Sequence, residues 1–475
     1  MVYVKNFLNK NKYLVLILLS FLFILIVSNP VDPDVYWHIK SGESILTYGI
    51  PHQDSFSYWD TSFTAHEWLF DIIVYGSYYL WGYLGVTFLK NFIVILSLLV
   101  AIKTCEKKIS FSVYILPLIL YVYCNSVLIA RPHILSLLLF VIEIYILENN
   151  KNIWFVPLLT LLCANIHGAF CIILVFTYIF YYIIKELSHE EINIKKSLYV
   201  LCLSLISMAI TPYGVKSVTY AFKIPSYVTE LITEYSPFIK GPKEIIFLMI
   251  GLLPFVCMAY IKNAKTIDIG MISFGFCMML TWTRFVIIFV PLYIIFGCKY
   301  IDEALKKIIQ KNKLDFNIND RLKSVLRSMS AGLIIIFILL SGYMFINIEP
   351  FNESKKYSAP VIIKEYIEKN GIDVKNDVMF NDYNFGGYFI FNNIPVFIDG
   401  RCDPYLAEFG GVNILPDYLD ILNVKNNILE LIDKYNIKYF AIYKESKLAE
   451  YLVKNNLGTV LISDEKYEFL KWNGG

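Results

Sequence analysis

Long apolar runs recur along almost the whole chain, and nothing else in the sequence limits the fold as strongly. Stretches at 13–28, 86–102, 111–129, 134–147, 152–165, 169–184, 197–211, 244–261, 267–282, 285–298 and 330–347 are each dominated by Leu, Ile, Val and Phe. A bilayer is crossed by about 20 mostly apolar residues, and its interior forces the backbone into helices or closed barrels. Charged residues make up only 17% of the 475 residues and hydrophobic ones 57%, with a mean hydropathy of +0.55. A soluble domain carries about 25% charged residues. These values exclude a soluble enzyme, a disordered chain and a secreted disulfide scaffold. The net charge of +2 gives no electrostatic reason to expect nucleic acid. Nine cysteines occur without a CxxC pair.

Orientation follows from the basic loops, because Lys and Arg stay on the cytoplasmic side. Lys5, Lys10 and Lys12 precede the first run. The stretch 68–83 is apolar but holds Asp71 and Gly76, and reads as an interfacial or re-entrant helix. The basic loops at Lys103/Lys107/Lys108, Lys151, Lys185/Lys195/Lys196, Lys262/Lys265 and 299–327 then all fall inside. The expected architecture is a polytopic α-helical membrane protein of about 11 transmembrane helices in the cell membrane. Its N-terminus is cytoplasmic and interfacial helices occupy the first outer loop. Two domains are expected: a multi-span part at 1–347, containing the outer loop 29–67, and an extracytoplasmic domain at 348–475. In the latter, helices are expected at 359–369, 417–434 and 445–455. Strands are expected near 377–381, 395–399, 438–443, 458–463 and 467–472, an α/β alternation.

With that topology the chemistry-bearing residues collect on one side. Five of the six histidines, at 38, 52, 66, 133 and 167, fall on the outer face. Loop 29–67 adds Asp32, Asp34, Asp54 and Glu67, and other outer ends carry Arg131, Asn165, Glu234 and Arg284. Ionisable residues at membrane depth are costly, so they line a cavity or pair with one another. Asp34 reads either as the N-cap of a helix starting near Val35 or as a working carboxylate. Arg131 and Arg284 suit a lipid phosphate, since a guanidinium fork matches phosphate geometry, or they snorkel to headgroups. Asp34, with His66 and Glu67, is the candidate catalytic group, and His38, Asp54, His133, Asn165, His167 and Glu234 are candidate substrate contacts. Asp34 and Glu67 would also be the ligands of a divalent ion, Mg or Mn, although no HxxxH or HExxH spacing occurs. In the C-terminal segment, Asp399, Arg401 and Asp403 follow the apolar run Pro395–Ile398. They would hold an acceptor or brace their own loop.

The pattern Asp34-x-x-Trp37-His38, Gly49, Asp54-x-Phe56-Ser57 and His66-Glu67-Trp68-Leu69 is followed by Arg131-Pro132-His133, Asn165-x-His167-Gly168 and Pro212-Tyr213-Gly214. Gly386-Gly387-Tyr388 and Asp399-Gly400-Arg401-x-Asp403 complete it. Together with the layout of spans and loops, this resembles the GT-C superfamily of integral-membrane glycosyltransferases. That superfamily includes protein mannosyltransferases, lipid A aminoarabinose transferases and oligosaccharyltransferases. The resemblance is to a bacterial branch often left uncharacterised and covers nearly the whole chain. It implies a polyprenyl-phosphate-linked sugar donor, inversion at the anomeric carbon, and Asp34 in the place of the superfamily's acidic residue. Where mannosyl and aminoarabinose transferases carry a Lys-Pro-Pro-like motif, this chain has Ala65-His66-Glu67, which leaves the sugar and its glycan, lipid or protein acceptor open. Two other functions compete: a transporter or flippase of a lipid-linked or polyanionic substrate, and a non-enzymatic membrane scaffold with an outer binding domain.

Overall fold

The computed structural model describes residues 32–105, 129–219, 222, 242–311 and 359–474. The expected spans 13–28 and 330–347, nearly all of 111–129, the linker beyond Lys311, and Glu234 lie outside the described residues. The chain forms two compact units. One comprises Pro30–Val86 with Pro350–Gly475, the other Met1–Asn29 with Thr87–Glu349.

In the second unit, helices stand where the apolar runs predict them: His133–Glu148, Val156–Ile166, Cys171–Leu187, Ile194–Met208, Pro242–Ile261 and Thr266–Thr281. Val286–Leu292 continues through a π-turn at Tyr293–Gly297 into Cys298–Lys311. Pro291 sits just ahead of that turn. It supplies no backbone N–H, which favours a local change of helical register. Large apolar side chains such as Phe176, Ile183, Leu203 and Ile206 are exposed, as on a helix face that meets lipid. Among the described residues, three helices are long and apolar enough to cross a membrane: Trp68–Thr104, Gly168–Leu187 and Thr283–Ile308. Ile153–Ile166, Phe247–Ile261 and Thr266–Thr281 are apolar but shorter. The count of eleven spans is therefore not reached by the described helices. Trp68–Thr104 leaves helical geometry at Trp81 and at Gly82, where φ is 60°. The kink divides the aromatic segment expected at the interface from the apolar run that follows it.

The other unit is built on a four-stranded sheet. Its strands are β1 (Val378–Asn381), β2 (Ile437–Tyr443), β3 (Gly458–Ser463) and β4 (Tyr467–Trp472), in the order β1-β2-β4-β3. β1 and β2 are parallel, and the other pairs antiparallel. Helices at Val361–Asn370 and Lys447–Lys454 match expectation within two residues. The helix expected over 417–434 is instead two, Ile414–Leu422 and Ile428–Lys434. Val424, with φ at 55°, turns the chain between them. The strand expected at 395–399 is also absent from the sheet. Val396, Phe397 and Ile398 are fully buried as read. Beside β1, however, they pair with a side chain: Asn381 accepts from Phe397 N at 2.8 Å and donates through Nδ2 to Ile398 O at 2.8 Å.

The first outer loop belongs to this same unit. Tyr58 N donates to Val396 O, and Val396 N to Phe56 O, at 3.1 Å each. Trp59 Nε1 donates to Phe397 O at 2.8 Å, and Tyr58 OH to Val374 O at 2.7 Å. The helix Pro33–Tyr48 packs against the short helix Gly386–Phe391. Side chains on the Gly-Gly pair would block this packing. A Cβ on Gly387 would lie 2.4 Å from Pro33 O, and one on Gly386 2.4 Å from Ile398 O.

Candidate active site

The acidic residue after the first apolar run does not cap its helix. The helix begins at Pro33, and Asp32 is the N-cap, its Oδ1 accepting from Asp34 N at 3.0 Å. Proline at the first helical position and Asp before it form a common start signal. Asp34 is thereby left in the first turn, where the helix dipole favours negative charge. Its half-buried carboxylate lies against the Asp399–Asp403 turn. A Cβ on Gly400 would fall 1.9 Å from Asp34 Oδ1, so only glycine lets the turn approach this closely.

One helical turn after Asp34, His38 is buried, at 1% exposure, and its Nδ1 lies 2.6 Å from Asp71 Oδ1. His38 Nε2 is 4.0 Å from Glu67 Oε2, and His66 Nε2 is 3.7 Å from Glu67 Oε1. The side chains of His66 and Glu67 keep 16% of their surface exposed. The two helices therefore bring Glu67 and Asp71, spaced i,i+4, onto His38.

Arg401 anchors a second cluster. Its guanidinium donates to Asp399 through Nε at 2.8 Å and Nη2 at 2.6 Å. It donates to Asp54 through Nη1 at 2.6 Å and Nη2 at 3.2 Å. Its plane lies 5.2 Å from the Phe56 ring and 5.0 Å from that of Phe63. Tyr405 OH donates to Asp399, and the N–H groups of Phe56 and Ser57 donate to Asp54 at 3.2 Å. Burial alone would raise the Asp54 pKa, but the Arg401 charge and these hydrogen bonds outweigh it and hold the carboxyl below its usual range. Burial would lower that of Arg401, and Asp399 and Asp54 hold it well above the ordinary value. Asp403 is also buried. Desolvation pushes its pKa up to about 7, against the opposing pull of His66 and Arg401.

Arg131, His133, Asn165, His167 and Arg284 belong to the other unit. Arg131 stands two residues ahead of the helix His133–Glu148, and Arg284 lies in the 3-10 turn Thr283–Phe285. His167 Nδ1 lies 3.1 Å from Ser136 Oγ. Asn165 Nδ2 donates to Leu161 O at 2.9 Å in its own helix and to Ile210 O at 3.0 Å, just past the helix Ile194–Met208. Among the described residues, no group of three or more His, Cys, Asp or Glu side chains is placed to hold a metal ion.

Several participants were not singled out from sequence as site residues. Asp71 stood out only as a misplaced charge in an apolar stretch, and its i,i+4 spacing from Glu67 was the available signal. Phe56 and Phe63 meet Arg401 across more than 300 residues, and Tyr405 and Asn381, whose partners lie nearer in the chain, follow no spacing rule that marks them.

No family model matches the chain, and no curated protein matches it. Solved structures do. The archaeal oligosaccharyltransferase AglB from Archaeoglobus fulgidus, in complex with an inhibitory peptide and a dolichol-phosphate, aligns with a TM-score of 0.62 at 11% identity. The alignment covers 94% of this chain and 71% of AglB. ArnT from Cupriavidus metallidurans bound to undecaprenyl phosphate aligns over 98% of both chains, with a TM-score of 0.55 at 10% identity. The chain therefore shares the fold of these two proteins. In its apo state ArnT gives a TM-score of 0.51 at 9% identity. The resemblance expected from the sequence thus holds at the level of fold.

Proposed function

We propose that the chain is an inverting membrane glycosyltransferase that moves a sugar from a polyprenyl-phosphate-linked donor to an acceptor at the outer face of the cell membrane. The observation that carries this reading is the placement of Asp34. It is a half-exposed carboxylate in the first turn of a helix, set against the backbone of Gly400 and one helical turn from the His38–Glu67–His66 group. Asp34 takes the acceptor proton as the acceptor oxygen or nitrogen bonds to the anomeric carbon. The bond from that carbon to the phosphate oxygen breaks, and the polyprenyl phosphate departs. General-base assistance of this kind contributes about 10²–10⁴-fold. Glu67 and His66 hold the acceptor side of the site; within the membrane unit, His133 and His167 are assigned to substrate binding. Arg131 and Arg284, in the membrane unit, are assigned to binding the donor's phosphate, a task for fixed guanidinium charge.

His38, Asp54, Asp399, Arg401 and Asp403 support the site from behind. Their side chains are buried and engaged with one another or with Asp71, so we assign them to holding Asp34 and Glu67 in place. AglB and ArnT, which share the fold, were solved with dolichol-phosphate and undecaprenyl phosphate, in keeping with a lipid-phosphate donor. The test is binding of undecaprenyl phosphate to the purified protein in detergent. The wild type should bind it, and Arg131→Ala and Arg284→Ala should each weaken binding by tenfold or more, since hydrogen bonds to charged groups are worth about 1.5–3 kcal/mol. Equal binding by all three proteins would remove these residues from the donor site.

A further inference from the structure

The membrane unit contains a carboxyl group that the proposed transfer does not use. Glu143 lies in the helix His133–Glu148, ten residues from its start and so about 15 Å along the axis. Its exposure is 0%. Neither carboxyl oxygen has a hydrogen-bond partner among the described residues. Its helix packs against Val156–Ile166, Cys171–Leu187 and Val286–Leu292. The titratable groups that reach Glu143 from these elements are Cys163 and Tyr178, and Val286–Leu292 carries none. Both are committed elsewhere: Tyr178 OH donates to Ser197 O at 3.1 Å, and Cys163 Sγ lies 4.0 Å from Ser136 Oγ. No cation faces the carboxyl among these elements.

Among the described residues, an ionised carboxylate in such a place would have neither a hydrogen-bond partner nor a counter-charge, the costliest arrangement an apolar interior offers. A metal ion cannot supply the charge, because it needs several oxygen ligands and no such group stands here among the described residues. We propose that Glu143 is a proton-binding site inside the membrane unit and holds a neutral carboxylic acid at neutral pH. From it, the polar groups Cys163, Ser136 and His167 lead toward the His133 end of the helix, with Ser136 Oγ 3.1 Å from His167 Nδ1. This site does not depend on the glycosyltransferase reading, and a proton-loaded acid in a membrane helix is a feature that sugar transfer by Asp34 does not require.

Infrared difference spectroscopy of the full-length protein and Glu143→Gln at pH 7 tests the proposal. The wild type should show a carboxylic acid C=O band that the variant lacks. Carboxylate bands in its place would overturn the proposal. Raising the pH should convert the acid band and lower the wild-type Tm relative to Glu143→Gln, whose amide cannot ionise. If the variant does not fold, a lipid-soluble carbodiimide applied to the wild type at pH 7 decides. The acid proton moves to a carbodiimide nitrogen, the carboxyl oxygen bonds to the central carbon, and rearrangement leaves a stable acylurea with nothing lost. An adduct mapped to Glu143 supports the site, and an unmodified Glu143 overturns it.

Discussion

Two charged clusters adjoin in the unit formed by 30–86 and 350–475, and they are built on opposite plans. Around Arg401, two carboxylates, a phenol and two aromatic rings close on one guanidinium, and the side chains of Arg401, Asp54 and Asp399 are at most 1% exposed. Around Glu67 the contacts are looser, at 3.7 and 4.0 Å, and His66 and Glu67 retain exposed surface. Gly400 links the two, carrying the Arg401 turn to within contact of Asp34. A closed, fully paired network stabilises a geometry, whereas an open one can admit a substrate. On the proposed function, the first cluster is the structural one and the second carries the chemistry.

Substitutions should separate the two plans. Arg401→Met should have the largest effect, leaving Asp54 and Asp399 buried and uncompensated at a cost of about 3–5 kcal/mol. The expected outcome is loss of folded protein in thermal melts. Neutralising the whole group, with Asp54→Asn and Asp399→Asn added, should recover part of that stability. A simple loss of activity with normal Tm would place Arg401 in the chemistry instead. Gly400→Ala should do the reverse of Arg401→Met: its methyl displaces the Asp34 carboxylate. A misplacement of about 1 Å costs on the order of 10²-fold in rate, with little change in Tm. Glu67→Gln should cut turnover comparably, and His66→Ala less.

The smallest effect concerns pH. The folded pKa of Asp403, about 7, stands above its ordinary value of 3.8. The folded state therefore binds this proton more tightly than the unfolded state does. The resulting stability is present below about pH 4 and is lost as pH rises toward 7. Asp403→Asn should flatten that decline, so its Tm should fall less than that of the wild type between pH 4 and pH 8. Parallel Tm–pH curves would show that Asp403 does not titrate differently on folding.

Local patterns in the sequence carried much of this architecture. Apolar runs marked the helices from 133 to 298, and short apolar runs between polar turns marked β2, β3 and β4, because both signals are written in neighbouring residues. The run 395–398 was read correctly as buried but wrongly as a strand of the sheet: Phe397 and Ile398 pair with the Asn381 side chain, and Val396 makes a single bridge to the backbone around Ser57. Asp34, His66 and Glu67 could be named from their order along the chain. Their support could not: Arg401 meets Asp54 across 347 residues, and no spacing rule reaches that far. The Gly386-Gly387 pair was visible as a motif, but its purpose, close packing against Pro33 and Ile398, required the fold.

The central claim is that Asp34 performs the chemistry while the Arg401 group holds it in place. Turnover, Tm and undecaprenyl phosphate affinity of Asp34→Asn, measured on one purified preparation, test it most directly. The amide keeps the side chain's shape against Gly400 but removes the base. The account predicts a loss of about 10²–10⁴-fold in turnover, with Tm and lipid-phosphate affinity near those of the wild type. Turnover close to wild type in the folded variant would contradict it.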